Sequence, residues 1–275
     1  MKKLHFTYSM ELLFGNKVSH HRFTLKCIPV TDNRQKISGL NVSVSPNDFL
    51  SNNNDSFGNQ YIYGCAYAPH DRFSVTVSGN AETGLADREP VSDIAGLGLY
   101  RQQTALTRPG EKLKKFFSET ADGIALLNFS NIGTGNIPSD LEKASAIMKA
   151  VYWAFEYVPG ATSVDTTAEQ AFEEKKGVCQ DYTHVMLSLC RMAGIPCRYT
   201  VGMMAGEGRS HAWAEVCCDG KYWIGLDPTN DRIADENYIK ISSGRDYNDC
   251  VMDLGIFVGF ASQKQEISVN VMEII

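Results

Sequence analysis

The sequence lacks a long apolar run. No stretch approaches the roughly 18 consecutive apolar residues that indicate a membrane-spanning helix. Residues 1–8 begin with a basic pair, but apolar and polar side chains then alternate and no long apolar segment follows. That alternation predicts a strand instead of a secretion signal. We therefore expect a soluble protein without a membrane partner.

An excess of positive charge is also missing. The 275 residues include 26 Lys and Arg against 32 Asp and Glu, which gives a formal net charge of −6 at pH 7. Nucleic acids and anionic lipid surfaces are bound by clustered positive charge. The composition therefore argues against a nucleic acid as the partner.

Metal-site spacing is absent as well. The eight cysteines form no Cys-x-x-Cys pair and no cluster with histidine at zinc spacing, and no calcium-loop pattern occurs. His20, His21 and His70 have no supporting ligands nearby, and residues 133–136 lack the ending of a phosphate loop and are interpreted as a turn. We expect no cofactor and, without a secretion signal, reduced thiols in the cytoplasm.

The first third of the chain has the pattern of antiparallel strands. Alternating or β-branched runs are separated by turn-forming clusters at 32–33, 45–48 and 51–55. The predicted strands cover residues 4–8, 22–28, 40–44, 60–64 and 73–77. Such period-two runs predict an antiparallel β-sandwich or barrel.

Helical patterns follow from residue 109 onward. A helix start at Pro109 leads into apolar positions at helical spacing. Ser139 and Glu142 have the spacing of a capping box, and Thr167 precedes a shorter helical stretch that ends near Lys176. This change of pattern places a boundary near residue 100 and predicts two domains.

A further helix is predicted from Cys179 to Gly194. Its apolar side chains recur at i, i+3, i+4, i+7, i+8 and i+11, and they are Tyr182, Val185, Met186, Leu189, Cys190 and Ala193. Gly194 suits a left-handed cap, and Pro196 follows. Cys179 therefore lies at a helix N-terminus, where unpaired N–H groups stabilise a thiolate.

Two later segments supply partners for this cysteine. His211 precedes a run of strand formers and Asp227 ends the next run, so adjacent antiparallel strands could bring their side chains together. Each residue alone favours an ordinary interpretation: a buried cysteine, a core histidine and a turn-opening aspartate. Together they fit the roles of nucleophile, base and orienting carboxylate. The loop at 203–209 is either a gate over this site or an ordinary hairpin loop.

These segments also resemble a known family. The similar blocks are residues 177–184, 194–199, 210–215 and 226–230. They resemble the signature blocks of the bacterial transglutaminase-like superfamily, which includes candidate cysteine proteases. The resemblance implies an α+β fold in which helices pack on an antiparallel sheet as in papain. It places a Cys-His-Asp triad on Cys179, His211 and Asp227.

The resemblance extends to both ends of the chain. Residues 55–59 and their surroundings resemble the β-rich N-terminal domain that accompanies many of these proteins, which implies an N-terminal domain over 1–100 and a catalytic domain over 101–275. Residues 242–250 resemble the closing block of the family, but the family's proline is absent at Met252. We expect an internal ion pair between Arg245 and Asp246.

The implied activity is thiol-dependent acyl transfer on amide bonds through a thioester. The enzyme would be a cysteine peptidase or amidase if water opens the thioester, and a protein-glutamine acyltransferase if an amine does; a non-catalytic binding scaffold is the alternative. The expected partner is a protein or peptide amide. Gln180 and His184 are candidates for the oxyanion site or its support, and Asp181 is interpreted as a helix cap.

Overall fold

The computed structural model describes residues 1–129 and 139–274 of the chain, so the predicted turn at 133–136 lies outside the described residues. The strands are β1 (Lys2–Leu25), β2 (Gln35–Ser45), β3 (Phe49–Asn54), β4 (Gln60–Ala66), β5 (His70–Thr83), β6 (Glu89–Pro90), β7 (Glu156–Tyr157), β8 (Lys176–Gly177), β9 (Cys197–Met204), β10 (His211–Cys218), β11 (Tyr222–Asp227), β12 (Arg232–Ile233), β13 (Tyr238–Gly244), β14 (Asp253–Val258) and β15 (Gln263–Glu273). The α-helices are α1 (Glu111–Phe129), α2 (Asp140–Ala154), α3 (Ala168–Glu174) and α4 (Cys179–Met192), and short 3-10 helices cover Ala95–Arg101 and Tyr247–Cys250. No helix in these described ranges is long and apolar enough to cross a membrane.

Strand β1 is the central strand of the first sheet. It is 24 residues long and pairs with β15 through Phe14 and with β5 through Leu13 and again at Val18. Further along, it pairs with β14 from Ser19 and with β4 from His21. Its pairing register with β5 shifts between Leu13 and Val18. Irregularities of this kind bend a strand and increase its twist. The long strand therefore curls and contributes to both parts of a seven-stranded antiparallel sheet.

Alternation along β1 and β5 places one face of this sheet in the core. The buried side chains of β1 include Leu4, Phe6, Tyr8, Met10, Leu12 and Phe14, and those of β5 include Phe73, Val75, Val77 and Ala81. The register brings the two sets into direct cross-strand pairs, such as Leu4 with Ala81 and Met10 with Val75. Apolar burial on this face therefore fixes the strand register, since a shift by one residue would expose it.

The predicted antiparallel first domain is confirmed in class but differs in detail. The predicted strands at 4–8 and 22–28 are parts of one strand. Residues 51–54 were predicted as a turn, yet they belong to the edge strand β3, which is exposed and held by backbone pairing with β4. Strands β14 and β15 return to β1, so part of the range 101–275 completes the first sheet. The boundary predicted near residue 100 did not anticipate this return.

The second sheet carries helices on one face. Its order is β12-β11-β10-β9-β13, with β6 beside β11, and α4 packs against β9 and β10. Even-numbered side chains of β10, from Ala212 to Cys218, share a core with the apolar side of α4. The predicted capping boxes at Ser139 and Thr167 are present and begin α2 and α3. The predicted α+β class is confirmed.

The opposite face of this sheet buries an ion network. Arg198 donates from Nε to Glu215 Oε2 at 2.6 Å, and Lys240 Nζ lies 3.4 Å from the same oxygen. Glu89 accepts from both cations, and Lys240 also pairs with Asp32 at 3.1 Å. Asp32 precedes β2, so the network joins the two sheets. Burial opposes the Glu215 charge, but Arg198 and Lys240 lower its pKa to about 2.

This network predicts an acid-sensitive part of the stability. Because the Glu215 pKa lies near 2 in the folded state and near 4.5 when exposed, its contribution is present above pH 4.5 and is lost as pH falls toward 2. We expect Glu215→Gln to cost about 3 kcal/mol at pH 7, since it leaves buried cations short of a partner. The difference from wild type should shrink in urea titrations between pH 5 and 2.5.

The control is Glu119→Gln, the same charge change at an exposed position of α1. Its unfolding free energy should stay within about 0.5 kcal/mol of wild type at every pH. A Glu215→Gln cost that does not change with pH would contradict the assignment.

Candidate active site

The first turn of α4 positions Cys179. Val178 precedes the helix in an extended conformation, and its N–H donates to Asp181 Oδ2 at 2.8 Å. Thr162 Oγ1 donates to the same oxygen at 2.7 Å. The interpretation of Asp181 as a helix cap is therefore confirmed. Burial raises the pKa of this carboxyl, and the two hydrogen bonds oppose the rise.

Gly177 is required by the close approach of Asp181. A Cβ atom at position 177 would lie 2.5 Å from Asp181 Oδ2 and 2.6 Å from its Cβ. Such contacts are too short for any side chain, and Asp181 is fixed by its hydrogen bonds. Glycine at position 177 therefore leaves space for the Asp181 side chain to reach the Val178 N–H, and this bond fixes the start of the helix at Cys179.

His211 and Asp227 meet across neighbouring strands. His211 begins β10 and Asp227 ends β11, and because the strands are antiparallel these positions lie at the same edge of the sheet. His211 Nε2 lies 2.7 Å from Asp227 Oδ2, and the two residues are 5% and 0% exposed. The spatial relation predicted from the strand pattern is present in the structure.

Asp227 is held by further donors. Tyr238 OH donates to Oδ2 at 2.6 Å, Asn230 Nδ2 donates to Oδ2 at 2.8 Å, and the Thr229 N–H donates to Oδ1 at 2.9 Å. Burial raises the pKa of Asp227, but the His211 and Tyr238 hydrogen bonds reverse this and lower it. The carboxylate is thus ionised and fixed in orientation.

His211 also reaches Cys179. Cys179 and His211 line the same cleft, and the two groups are close enough for the sulfur to influence the charge of the imidazole. Burial lowers the pKa of His211, but the hydrogen bonds and charges of Asp227 and Cys179 raise it to about 10. The structure therefore places the three predicted side chains at one site, with the protonated His211 hydrogen-bonded to Asp227 and in the same cleft as Cys179.

A cleft of about 560 Å³ opens over Cys179. Its lining comes from both sheets and from the loops before α3 and β10, and includes Tyr157, Gly160, Val164, Tyr199, Arg209, Tyr247 and Ile267. The predicted residue Gln180 lines the cleft, and its amide donates to the Val164 carbonyl at 3.0 Å.

The predicted residue His184 lies elsewhere. It is fully buried in the core behind Tyr199, and its Nε2 accepts the Tyr247 N–H at 3.2 Å. Burial and the Arg191 charge lower its pKa to about 3, so the ring is neutral. The structure therefore places His184 as support for the Tyr199 and Tyr247 wall, away from Cys179.

The loop before β10 is tied to the first sheet. The Gly208 carbonyl accepts the Val269 N–H of β15 at 2.9 Å, and the Ala205 N–H donates to Asn237 at 3.0 Å. Glu207 and Arg209 of this loop line the cleft. Opening the loop, as the gate interpretation requires, would break the bond to Val269.

Some residues of this region were missed or misassigned from sequence. Arg245 pairs with Asp249 at 2.8 Å, whereas Asp246 accepts the Asn248 N–H, so the expected Arg245–Asp246 pair is wrong. Tyr238 and Asp253 approach the site from distant strands and carry no local signal. In the described parts of the chain, no group of three or more His, Cys, Asp or Glu residues is arranged to hold a metal ion.

The contacts of His211 predict the effect of removing one carboxylate. We expect Asp227→Asn to lower the His211 pKa from about 10 to near the ordinary value of 6.5, because burial continues to disfavour the imidazolium while a charge partner is lost. Long-range ¹H–¹⁵N NMR of the imidazole measures this titration. The control is Asp235→Asn, which removes an exposed aspartate from the segment between β12 and β13 and should leave the His211 pKa unchanged. A His211 titration that is the same in wild type and Asp227→Asn would refute the account.

Comparison with known proteins identifies the family. Residues 128–228 match the transglutaminase-like superfamily, and residues 4–82 match the bacterial transglutaminase-like N-terminal region. An uncharacterised protein of Mycobacterium leprae is 32% identical over 217 residues, covering 74% of this chain and 75% of that protein. A protein-glutamine gamma-glutamyltransferase of Pseudomonas aeruginosa is 30% identical over 89 residues, covering 28% of this chain and 13% of that enzyme.

A solved structure shares the fold over the whole chain. It is a protein of Cytophaga hutchinsonii described as a candidate cysteine protease, with a TM-score of 0.77, 20% identity, and coverage of 100% of this chain and 92% of the other. The resemblance inferred from the four sequence blocks is confirmed. The chain belongs to the transglutaminase-like superfamily and has the N-terminal region found in its bacterial members.

Proposed function

We propose that this protein is a thiol-dependent enzyme that transfers acyl groups from amides. The observation that carries the proposal is the buried His211, hydrogen-bonded to Asp227 at 2.7 Å and lining the same cleft as Cys179, which begins α4. An imidazolium beside the sulfur and a helix N-terminus both favour the thiolate, which is the nucleophilic form. The cleft gives a substrate access to this sulfur.

In the proposed reaction, the Cys179 thiol proton resides on His211 and the sulfur attacks the carbonyl carbon of a carboxamide. The C–N bond then breaks, and His211 gives its proton to the departing ammonia or amine. A thioester on Cys179 remains. Water or a second amine attacks this thioester and gives its proton to His211, and the thiol is released with the product. Asp227 keeps the ring oriented throughout and stabilises its positive charge.

The first turn of α4 offers a site for the developing negative oxygen. Helical N–H groups in the first turn have no carbonyl acceptor within their own helix, and the Cys179 N–H is at this position. Donors that face the carbonyl oxygen stabilise the tetrahedral intermediate. We assign the Cys179 N–H to this role. Gln180 lines the cleft next to Cys179 and supports the shape of the site there.

Two acyl acceptors fit this chemistry. Water would make the protein a peptidase or amidase, as in the description of the Cytophaga hutchinsonii protein, and an amine would make it a transglutaminase, as in the name of the Pseudomonas aeruginosa enzyme. Both routes pass through the same thioester on Cys179. The substrate in either case is a protein or peptide carboxamide.

The first test measures activation of the sulfur. Limiting iodoacetamide should label Cys179 rapidly at pH 6.5, and His211→Ala should slow this labelling by at least about tenfold, because the sulfur then has no imidazolium beside it to stabilise the thiolate. Peptide mapping follows each cysteine. The other seven cysteines are buried whereas Cys179 is half-buried, so a preference for Cys179 alone would report only exposure.

The matched control is His20→Ala, a surface histidine of β1, which should leave the rate unchanged. Equal labelling rates in wild type and His211→Ala, with both proteins folded by circular dichroism, would favour a non-catalytic scaffold.

A second test identifies the acceptor. Glutamine-containing peptides are incubated with a fluorescent primary amine, and amine incorporation, ammonia release and peptide cleavage are measured together. We expect Cys179→Ser to lower whichever product forms by at least about a thousandfold, since removal of a nucleophile abolishes the covalent route. A product rate that survives Cys179→Ser would show that the sulfur is not the nucleophile.

A further inference from the structure

The cleft has one wall that the catalytic segment does not supply. Tyr8 of β1, Asp253 at the start of β14 and Gln265 of β15 line it alongside Cys179 and His211. Asp253 pairs with Leu25 in the backbone register of the first sheet. The curled sheet therefore places a carboxyl group in the same cleft as the reactive sulfur.

This carboxyl lacks a cationic partner. Its Oδ2 accepts from Gln265 Nε2 at 3.1 Å, and it forms no ion pair with any residue in 1–129 or 139–274. Its surroundings are Tyr8, Tyr247 and Cys27, which are neutral or acidic groups. By contrast, the buried Glu215 is paired with Arg198 and Lys240. Asp253 instead lines the open cleft.

Its electrostatic state supports a binding role. Burial raises the pKa of Asp253 to about 6, and the Gln265 hydrogen bond only partly opposes the rise. Partial burial of an ionised carboxylate costs desolvation free energy, which a single neutral donor offsets only in part. A positive charge beside the carboxylate offsets more of that cost. The cations that line the cleft among the described residues are Arg209, on the loop next to Glu207, and His211, which is already bonded to Asp227.

We propose that Asp253 is a specificity residue that selects substrates carrying a cationic nitrogen. Its carboxylate binds an ammonium or guanidinium group while the reacting carbonyl lies at Cys179. The cation belongs either to the acyl donor, as a lysine or arginine near the reacting amide, or to an amine that opens the thioester. The inference rests on the proposed acyl-transfer function, and the experiment below separates the two.

The test uses small thiol reagents of different charge. Wild type, Asp253→Asn and Glu207→Gln are treated with neutral methyl, cationic 2-aminoethyl and anionic 2-sulfonatoethyl methanethiosulfonate, and the rate at Cys179 is followed by peptide mapping. We expect wild type to prefer the cationic over the anionic reagent, and Asp253→Asn to reduce that ratio about three- to tenfold, as for one charge acting across a partly solvated cleft. The rate with the neutral reagent is the reference for each variant, since a change in the thiolate fraction affects all three reagents alike.

Glu207→Gln is the matched control, because it removes one negative charge from another wall of the same cleft. Its effect on the ratio should be smaller than that of Asp253→Asn, and Asp253→Glu, which keeps the charge, should retain the wild-type preference. An unchanged ratio in Asp253→Asn, or an equal loss in Glu207→Gln, would overturn the proposal. Failure of the acyl-transfer function appears separately, as a rate with the neutral reagent that His211→Ala does not lower.

Substrate kinetics then locate the cation. Donor peptides containing lysine or its uncharged analogue norleucine are compared, and amine acceptors such as cadaverine are compared with hydroxylamine, which is neutral at pH 7.5. A KM increase in Asp253→Asn confined to lysine peptides places the cation in the donor, and one confined to cadaverine places it in the acceptor. No selective KM increase in either series would refute the assignment of Asp253.

Discussion

The site depends on the contact between His211 and Asp227, which is removed from water. An imidazolium buried alone would lose its proton, because burial disfavours the charged form. Asp227 prevents this, and its own charge is maintained by Tyr238, Asn230 and the Thr229 N–H. Asp227 thus stabilises the charge of His211, and the three donors stabilise the charge of Asp227. The charge of His211 is therefore maintained by residues of several strands and not by the histidine alone.

Geometry brings the helix and the sheet edge together. The sheet places His211 and Asp227 side by side because the β10–β11 hairpin is tight, with left-handed Asp219 and Gly220 at its turn. The helix places Cys179 at the same edge because Asp181 folds back to the Val178 N–H and leaves no space for a side chain at Gly177. Both constraints are local, and packing of α4 on β10 joins them.

This locality explains what could be predicted from the sequence. Helix α4 and the capping boxes have short-range signals, and His211 and Asp227 lie at the ends of strand-forming runs, so the positions of Cys179, His211 and Asp227 followed from these local patterns. The continuous β1 and the edge strand β3 could not be read in this way, because their conformation is set by the strands beside them. Tyr238 and Asp253 reach the site by pairings between residues far apart in sequence, which no local pattern encodes.

The same distinction separates the cluster around His211 from the rest of the cleft. Cys179, His211, Asp227 and Tyr238 come from the segment between residues 177 and 238, whereas one wall of the cleft comes from β1, β14 and β15 of the first sheet. The return of β14 to β1 therefore matters beyond stability. It brings side chains of the curled first sheet into the cleft that contains Cys179.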